Sequence, residues 1–316
     1  MAIKLKAKNH HFSKLISEQI GENKKVLFYK DVLENSETIS KNLKERSLIF
    51  VLAQNHTEFI TSYIGFFRKG LVQMLLDPKI STSLLKELIE TYMPNYIFLP
   101  NSRKNDLKSY EVLGNLGNHK ILKLNKSNSY SLNKDLALLL STSGSTGSKK
   151  FVRISYENIY HNTKNIVDFL EIDSSHKTIT TMPPFYTYGL SVINTHLFTG
   201  ASILVTNLKA VEKTFWKLMR DQKVCSFAGV PYFYEVLNKI KFDKFDLPDL
   251  KYFTQAGGAL RKDLIEYFLT YSEKSKKEFV VMYGQTEATA RMTYLPYKML
   301  RKKIGSVGIP ITGGKI

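Results

Sequence analysis

The chain has 316 residues, and 46 Lys and Arg against 28 Asp and Glu leave a net charge of +18. Hydrophobic residues make up 43% and aromatics 12%, which excludes wholesale disorder and is enough to bury a large core. The single cysteine, Cys225, excludes intrachain disulfides and argues against a cysteine-held metal, and no apolar run reaches the ~18 residues of a membrane helix. The basic start, Met1 to Lys8, is not followed by the apolar segment of a secretory signal, so a cytoplasmic location is expected. The positive excess comes from 38 lysines and only 8 arginines, scattered along the chain. Readers of nucleic acid rely on arginine forks, so a lysine-rich surface is expected rather than a nucleic-acid groove.

Apolar runs of strand length recur at Leu48–Ala53, Leu71–Leu76, Tyr96–Leu99, Leu136–Leu140, Ala201–Val205, Cys225–Val230 and Phe279–Met282. Between the first two, Thr57–Lys69 places Phe59, Ile60, Tyr63, Ile64 and Phe67 at helical spacing. Asn118–Asn133, rich in Asn, Ser and Lys, reads as a loop. Ser155 is positioned to cap a helix carrying Ile159, Ile166, Val167 and Leu170 on one face. Thr214–Gln222 and Tyr232–Lys239 read as further helices. This alternation of uninterrupted apolar strands with helices predicts an α/β fold, with a mainly parallel sheet covered on both faces.

After the run Leu136–Leu140 come Ser141, Thr142, Ser143, Gly144, Ser145, Thr146 and Gly147, then Ser148, Lys149 and Lys150. Glycines let backbone N–H groups turn toward a ligand, hydroxyls add donors without negative charge, and lysines supply countercharge. The pattern suits a phosphate-gripping loop. A flexible Ser/Gly linker fits poorly, because the segment is flanked by a hydrophobic strand and by Phe151-Val152. A Walker A loop is excluded, since Lys149 stands where its second glycine is required.

Thr142–Gly147 with Lys150 resembles the phosphate loop of the adenylate-forming (AMP-binding) superfamily, which comprises acyl-CoA synthetases, peptide-synthetase adenylation domains and luciferases. Further segments resemble that family in its order. These are Phe66–Gly70 with Leu75–Pro78, Pro183–Leu190, Ala228–Pro231, Gln255–Leu260, Tyr283–Thr289 and Gly305–Pro310. The resemblance implies two packed αβ lobes, one of about residues 47–174 and one of about 12–46 plus 175–304. Their break is expected near Asp173–Lys177, and residues 305–316 would begin a partial β-barrel-like subdomain.

The implied activity is ATP-dependent activation of a carboxylic acid as acyl-adenylate, followed by transfer to coenzyme A or a phosphopantetheine carrier, with an acyl carrier protein as a partner. Thr142, Ser143, Gly144, Ser145, Thr146, Gly147 and Lys150 would hold the ATP phosphates. Gly257, Gly258, Ala259, Tyr283, Gly284 and Gln285 would surround the adenine. Thr286 would bond the α-phosphate, and Glu287 would hold Mg²⁺, where the bland alternative is a carboxylate at a helix start. Phe185, Tyr186, Tyr188, Gly189 and Gly229 would line the acyl pocket, although aromatics there also read as ordinary core.

The sequence departs from the family at Lys149 for a usual proline, at Phe151 for a usual glycine and at Tyr186 for a frequent histidine. It ends at Gly313-Gly314-Lys315-Ile316, where relatives continue into a hinge and a mobile lid with a catalytic lysine. The expectation is therefore a large N-terminal domain, impaired on its own. Phe185–Leu190 holds no acid to pair with an ammonium, which favours an acid without an α-amine over an amino acid. The competing readings are an inactive nucleotide-binding scaffold, an amino-acid-activating domain and a basic nucleic-acid-binding module.

Overall fold

The computed structural model describes residues 14–17, 25–107, 109–125, 131–142 and 150–316. Two mostly parallel sheets organise them. The first is built around β3 (Leu48–Leu52), β4 (Val72–Leu76), β5 (Tyr96–Pro100) and β8 (Leu136–Leu140), all parallel. Antiparallel β6 (Tyr110–Leu116), β7 (His119–Leu124) and β9 (Val152–Ser155) complete it in the order β6-β7-β5-β3-β4-β8-β9. The second sheet holds parallel β10 (Lys177–Ile179), β11 (Ser202–Val205), β12 (Ser226–Gly229), β13 (Tyr252–Gln255) and β14 (Glu278–Gln285). β1 (Lys14–Ser17) and β2 (Lys25–Phe28) extend one side, and antiparallel β15 (Ala290–Leu295) and β16 (Ile309–Pro310) the other. The strand pattern alone implied one sheet; the described strands form two, and the second draws β1 and β2 from the start of the chain together with β10 to β16.

Helices fill the space between and outside the sheets. α1 (Tyr29–Ser40) packs on α2 (Thr57–Arg68), and α4 (Tyr156–Leu170) on α5 (Thr187–Thr199). α2 is buried on every face, because it contacts β4 of one sheet and β1 of the other. α5 is likewise buried from Thr187 to Leu197. Ile49 and Val51 of the first sheet therefore share one core with Phe59 and Tyr63 of α2, Ile193 of α5 and Ile203 of the second sheet. α3 (Thr82–Tyr92) covers the outer face of the first sheet through Leu85 and Leu88. α6 (Lys213–Asp221), α7 (Pro231–Lys239) and α8 (Lys262–Ser275) cover the outer face of the second, where Phe227, Phe253 and Phe279 stack in neighbouring strands. The expected cap at Ser155 is present: its hydroxyl accepts from the Asn158 N–H at 3.0 Å, and Asn158 Oδ1 accepts from the Ser155 N–H at 3.1 Å.

The loop expected over Asn118–Asn133 is corrected in part, since His119–Leu124 forms β7. Ile121, Leu122 and Leu124 are buried, and β5 and β6 offer ladder partners on both sides. Core burial there outweighs the polar flanks.

Candidate active site

Strand polarity fixes where the site forms. β12, β13 and β14 are parallel, so their carboxyl ends meet along one edge, where open α/β sheets bind ligands. A cavity of about 830 Å³ opens at that edge. Side chains alternate along each strand, so Phe253 and Phe279 go to the outer core, while Met282 lines the cavity and Thr254 a small chamber on the inner side.

The start of α5 forms one wall. Tyr186 is its N-cap residue, with Thr187 and Tyr188 in the first turn. Thr187 Oγ1 lies 2.8 Å from Thr286 Oγ1, and both residues are buried, which ties α5 to the turn that follows β14. The Tyr188 hydroxyl lies 2.7 Å from Thr254 Oγ1, and burial pushes its phenol up to about 12, so it stays neutral.

Opposite, the chain leaves β13 as Gly257-Gly258-Ala259, three exposed residues. Gly257 has φ +83°, and a Cβ there would fall on the Tyr186 hydroxyl and lie 3.1 Å from Val230 Cγ1. Gln255 Nε2 donates to the Gly258 carbonyl at 2.8 Å and closes this turn. The result is a bare backbone edge beside the exposed ring of Tyr283.

Between β14 and β15 the ladder shifts register at Tyr283/Gly284. A Cβ on Gly284 would occupy the Ala290 carbonyl position, so only glycine lets the strands approach. Thr289 (φ 77°) and Ala290 (φ 128°) stand in backbone regions that side-chain-bearing residues avoid, at roughly 1–3 kcal/mol each. This strained hairpin sets Glu287, exposed at the rim, next to buried Thr286.

Thr142, Tyr186, Tyr188, Gly257, Gly258, Ala259, Tyr283, Gly284, Gln285, Thr286 and Glu287 thus line one cavity despite their separation in sequence. Ser143, Gly144, Ser145, Thr146 and Gly147 lie outside the described residues. Lys150 is exposed and lies outside the cavity lining. Phe185 lines a second cleft, of about 670 Å³, with Asn55, His56 and Tyr232. Gly189 and Gly229 sit at packing contacts: a Cβ would meet the Pro183 carbonyl at the first, and the Phe233 and Tyr234 rings at the second.

Sequence reading did not single out Thr187, Lys262, Ser306 or Arg291, all of which line the cavity. Arg291 had a signal: it is a charge within the strand-like run Ala290–Leu295. It is 2% exposed, and burial lowers its guanidinium pKa to about 10, leaving it charged near neutrality. Among the described residues, Glu287 is the only carboxylate lining the cavity, and no cluster of three metal-ligating side chains occurs.

Comparison with known proteins gives a consistent set. The sequence model for the family described as AMP-binding enzyme matches residues 22–316. Bacitracin synthase 3 of Bacillus licheniformis is 23% identical, over 93% of this chain and 5% of its own length. The 4-coumarate--CoA ligase-like 9 protein of Arabidopsis thaliana is 25% identical, over 93% of this chain and 55% of its own. The chain therefore spans between a few per cent and about half of these relatives. Among solved structures, ATP-bound MatB from Rhodopseudomonas palustris shares the fold, with a TM-score of 0.78 at 21% identity, over 99% of this chain and 65% of that one.

Proposed function

The chain belongs to the AMP-binding enzyme family, and on that footing we propose that it activates a carboxylic acid as an acyl-adenylate. ATP is the co-substrate. A carboxylate oxygen of the acid bonds to the α-phosphorus, and the bond from that phosphorus to pyrophosphate breaks. The thiol of coenzyme A or of a phosphopantetheine carrier then attacks the acyl carbon and releases AMP, leaving a thioester.

The carrying observation is the convergence, in one cavity, of a bare glycine edge, the exposed Tyr283 ring and the Thr286-Glu287 turn. In this reading the adenine lies against Gly257, Gly258 and Ala259, with Gly284 and Gln285 at its border and Tyr283 stacked on it. Thr142, with Ser143–Gly147 and Lys150 beyond it, holds the phosphates. The Thr286 hydroxyl, fixed by Thr187, bonds the α-phosphate where charge develops. Tyr186 and Tyr188 border the acyl group.

Glu287 suits Mg²⁺, which is commonly held by one or two carboxylates plus substrate phosphate oxygens, and a lone exposed carboxylate at the rim fits that donor set. When bound, the ion would neutralise phosphate charge. Among the described residues no carboxylate other than Glu287 at the rim lines the cavity to pair with a buried substrate ammonium, which favours an acid lacking an α-amine over the amino-acid-activating reading.

Titration calorimetry with ATP and Mg²⁺ tests this, together with acid-dependent pyrophosphate exchange by the native protein. Glu287→Gln is expected to weaken Mg²⁺-dependent ATP binding by roughly tenfold or more, while nucleotide binding without metal changes little. Failure to bind ATP, alongside salt-sensitive retention on heparin that ATP does not relieve, would favour a nucleic-acid-binding role instead.

A further inference from the structure

Arg291 joins β14 at the Gly284 rung, and its carbonyl accepts from Asn162 Nδ2 at 2.9 Å. Its guanidinium carbon lies 5.5 Å from the centroid of the Tyr188 ring. Nε and Nη2 are buried without a partner, and Arg291 forms no ion pair among the described residues. The groups whose charge reaches it are the phenols of Tyr188 and Tyr252, which are neutral near pH 7. A buried guanidinium without a counter-charge is costly to keep, so a ligand that supplies one is implied.

Among the described residues, Arg291 is the one that lines both the large cavity and a small chamber beneath α5, where His196, Ser226, Tyr252 and Thr254 also stand. That chamber, about 10 Å³, has room for one water and, among the described residues, no anionic side chain. His196 is held neutral by burial, with its pKa lowered to about 3, and its Nδ1 lies 2.9 Å from the Val192 carbonyl, to which it donates. Its unpartnered Nε2 is therefore an acceptor, which suits a water and disfavours an anion in the chamber. Of the two spaces that Arg291 lines, only the large cavity, bordered also by Tyr186, Ala256 and Met282, has room for a charged ligand group.

We propose that the acid activated here carries a second anionic group, received by Arg291 while the reacting carboxylate sits near Thr187 and Thr286. This rests on the activation reading above. An acid with an apolar tail would leave the guanidinium unpaired, and an ammonium would be repelled by it.

The test measures pyrophosphate exchange by the native protein with straight-chain dicarboxylates, their mono-amides and matched monocarboxylates. Phosphonate and sulfonate analogues identify the preferred anion. Calorimetry measures binding of the same acids beside a non-reactive ATP analogue. The diacid is expected to exceed its mono-amide by roughly 100-fold in kcat/KM. Arg291→Met should bring that ratio close to unity, with Arg291→Lys intermediate. Equal use of diacid and mono-amide by the native protein, or a preference that survives Arg291→Met, overturns the proposal. If ATP binds but no acid supports exchange, the activation reading fails. Calorimetry then still decides on Arg291: diacid binding that Arg291→Met abolishes supports the proposal, and binding that it leaves intact sinks it.

Discussion

Gly257→Ala separates two physical costs at the bare edge of the cavity. The first is backbone: φ +83° is a left-handed conformation, which costs an alanine about 1–2 kcal/mol. The second is packing, since the added methyl falls on the Tyr186 hydroxyl and lies 3.1 Å from Val230 Cγ1. Overpacking of that kind costs about 1–3 kcal/mol, so the expected total is about 2–5 kcal/mol. Tyr186→Phe removes the contacting oxygen and leaves the backbone untouched. It should recover most of the second cost, giving a coupling of about 1–3 kcal/mol in a double-mutant cycle. Urea unfolding of the four proteins supplies the numbers, provided the slope of the transition stays constant. ATP affinity, measured alongside, should fall for Gly257→Ala, because the methyl intrudes on the edge assigned to the base. A destabilisation below about 0.5 kcal/mol, ordinary for a surface change, would refute the reasoning, as would the absence of any recovery with Tyr186→Phe.

Two further outcomes are expected. Burial lowers His196 to about 3 and His119 to about 4, below the value near 6.5 of an unfolded histidine. Both contribute stability that is full above pH ~6.5 and lost as pH falls from there toward 4, at about 1.4 kcal/mol per pH unit for each. His119→Phe, which preserves the stack on Phe98, should remove one such slope from urea midpoints measured between pH 7 and 4, and an unchanged slope would count against it. Thr187→Val strands the buried Thr286 hydroxyl and should cost about 1–3 kcal/mol, whereas adding Thr286→Val should restore part of it; equal losses for single and double variants would contradict the pairing.

The limits of reading along the chain show in particular elements. Thr57–Lys69 is legible as a helix from its apolar spacing, but its burial on all faces is not. Thr61, Ser62 and Gly65 look like a solvent face and are instead packed inside; Gly65 is glycine because a Cβ would strike the Ser36 carbonyl of α1. β7 is hidden because its flanks are polar and its burial depends on β5 and β6. The cavity glycines are legible because a contiguous motif carries them, whereas Gly189 and Gly229 read as site residues and stand at packing contacts. Thr187 escapes notice because its partner, Thr286, is 99 positions away.

Contiguous chemistry is what the amino-acid order determined by itself. The hydroxyl-rich loop around Gly144, the Gly257-Gly258 pair and the Tyr283–Thr289 segment each bring their reactive groups within a few residues, so local spacing suffices to recognise them. Only the folded chain decided that α2 and α5 lie buried between the two sheets, and that Arg291 lies buried without a counter-charge among the described residues. Its surroundings come from Tyr188, His196, Ser226 and Tyr252, on three separate elements. Burial and the lack of a partner are properties of what distant segments bring together, and no stretch of sequence carries them.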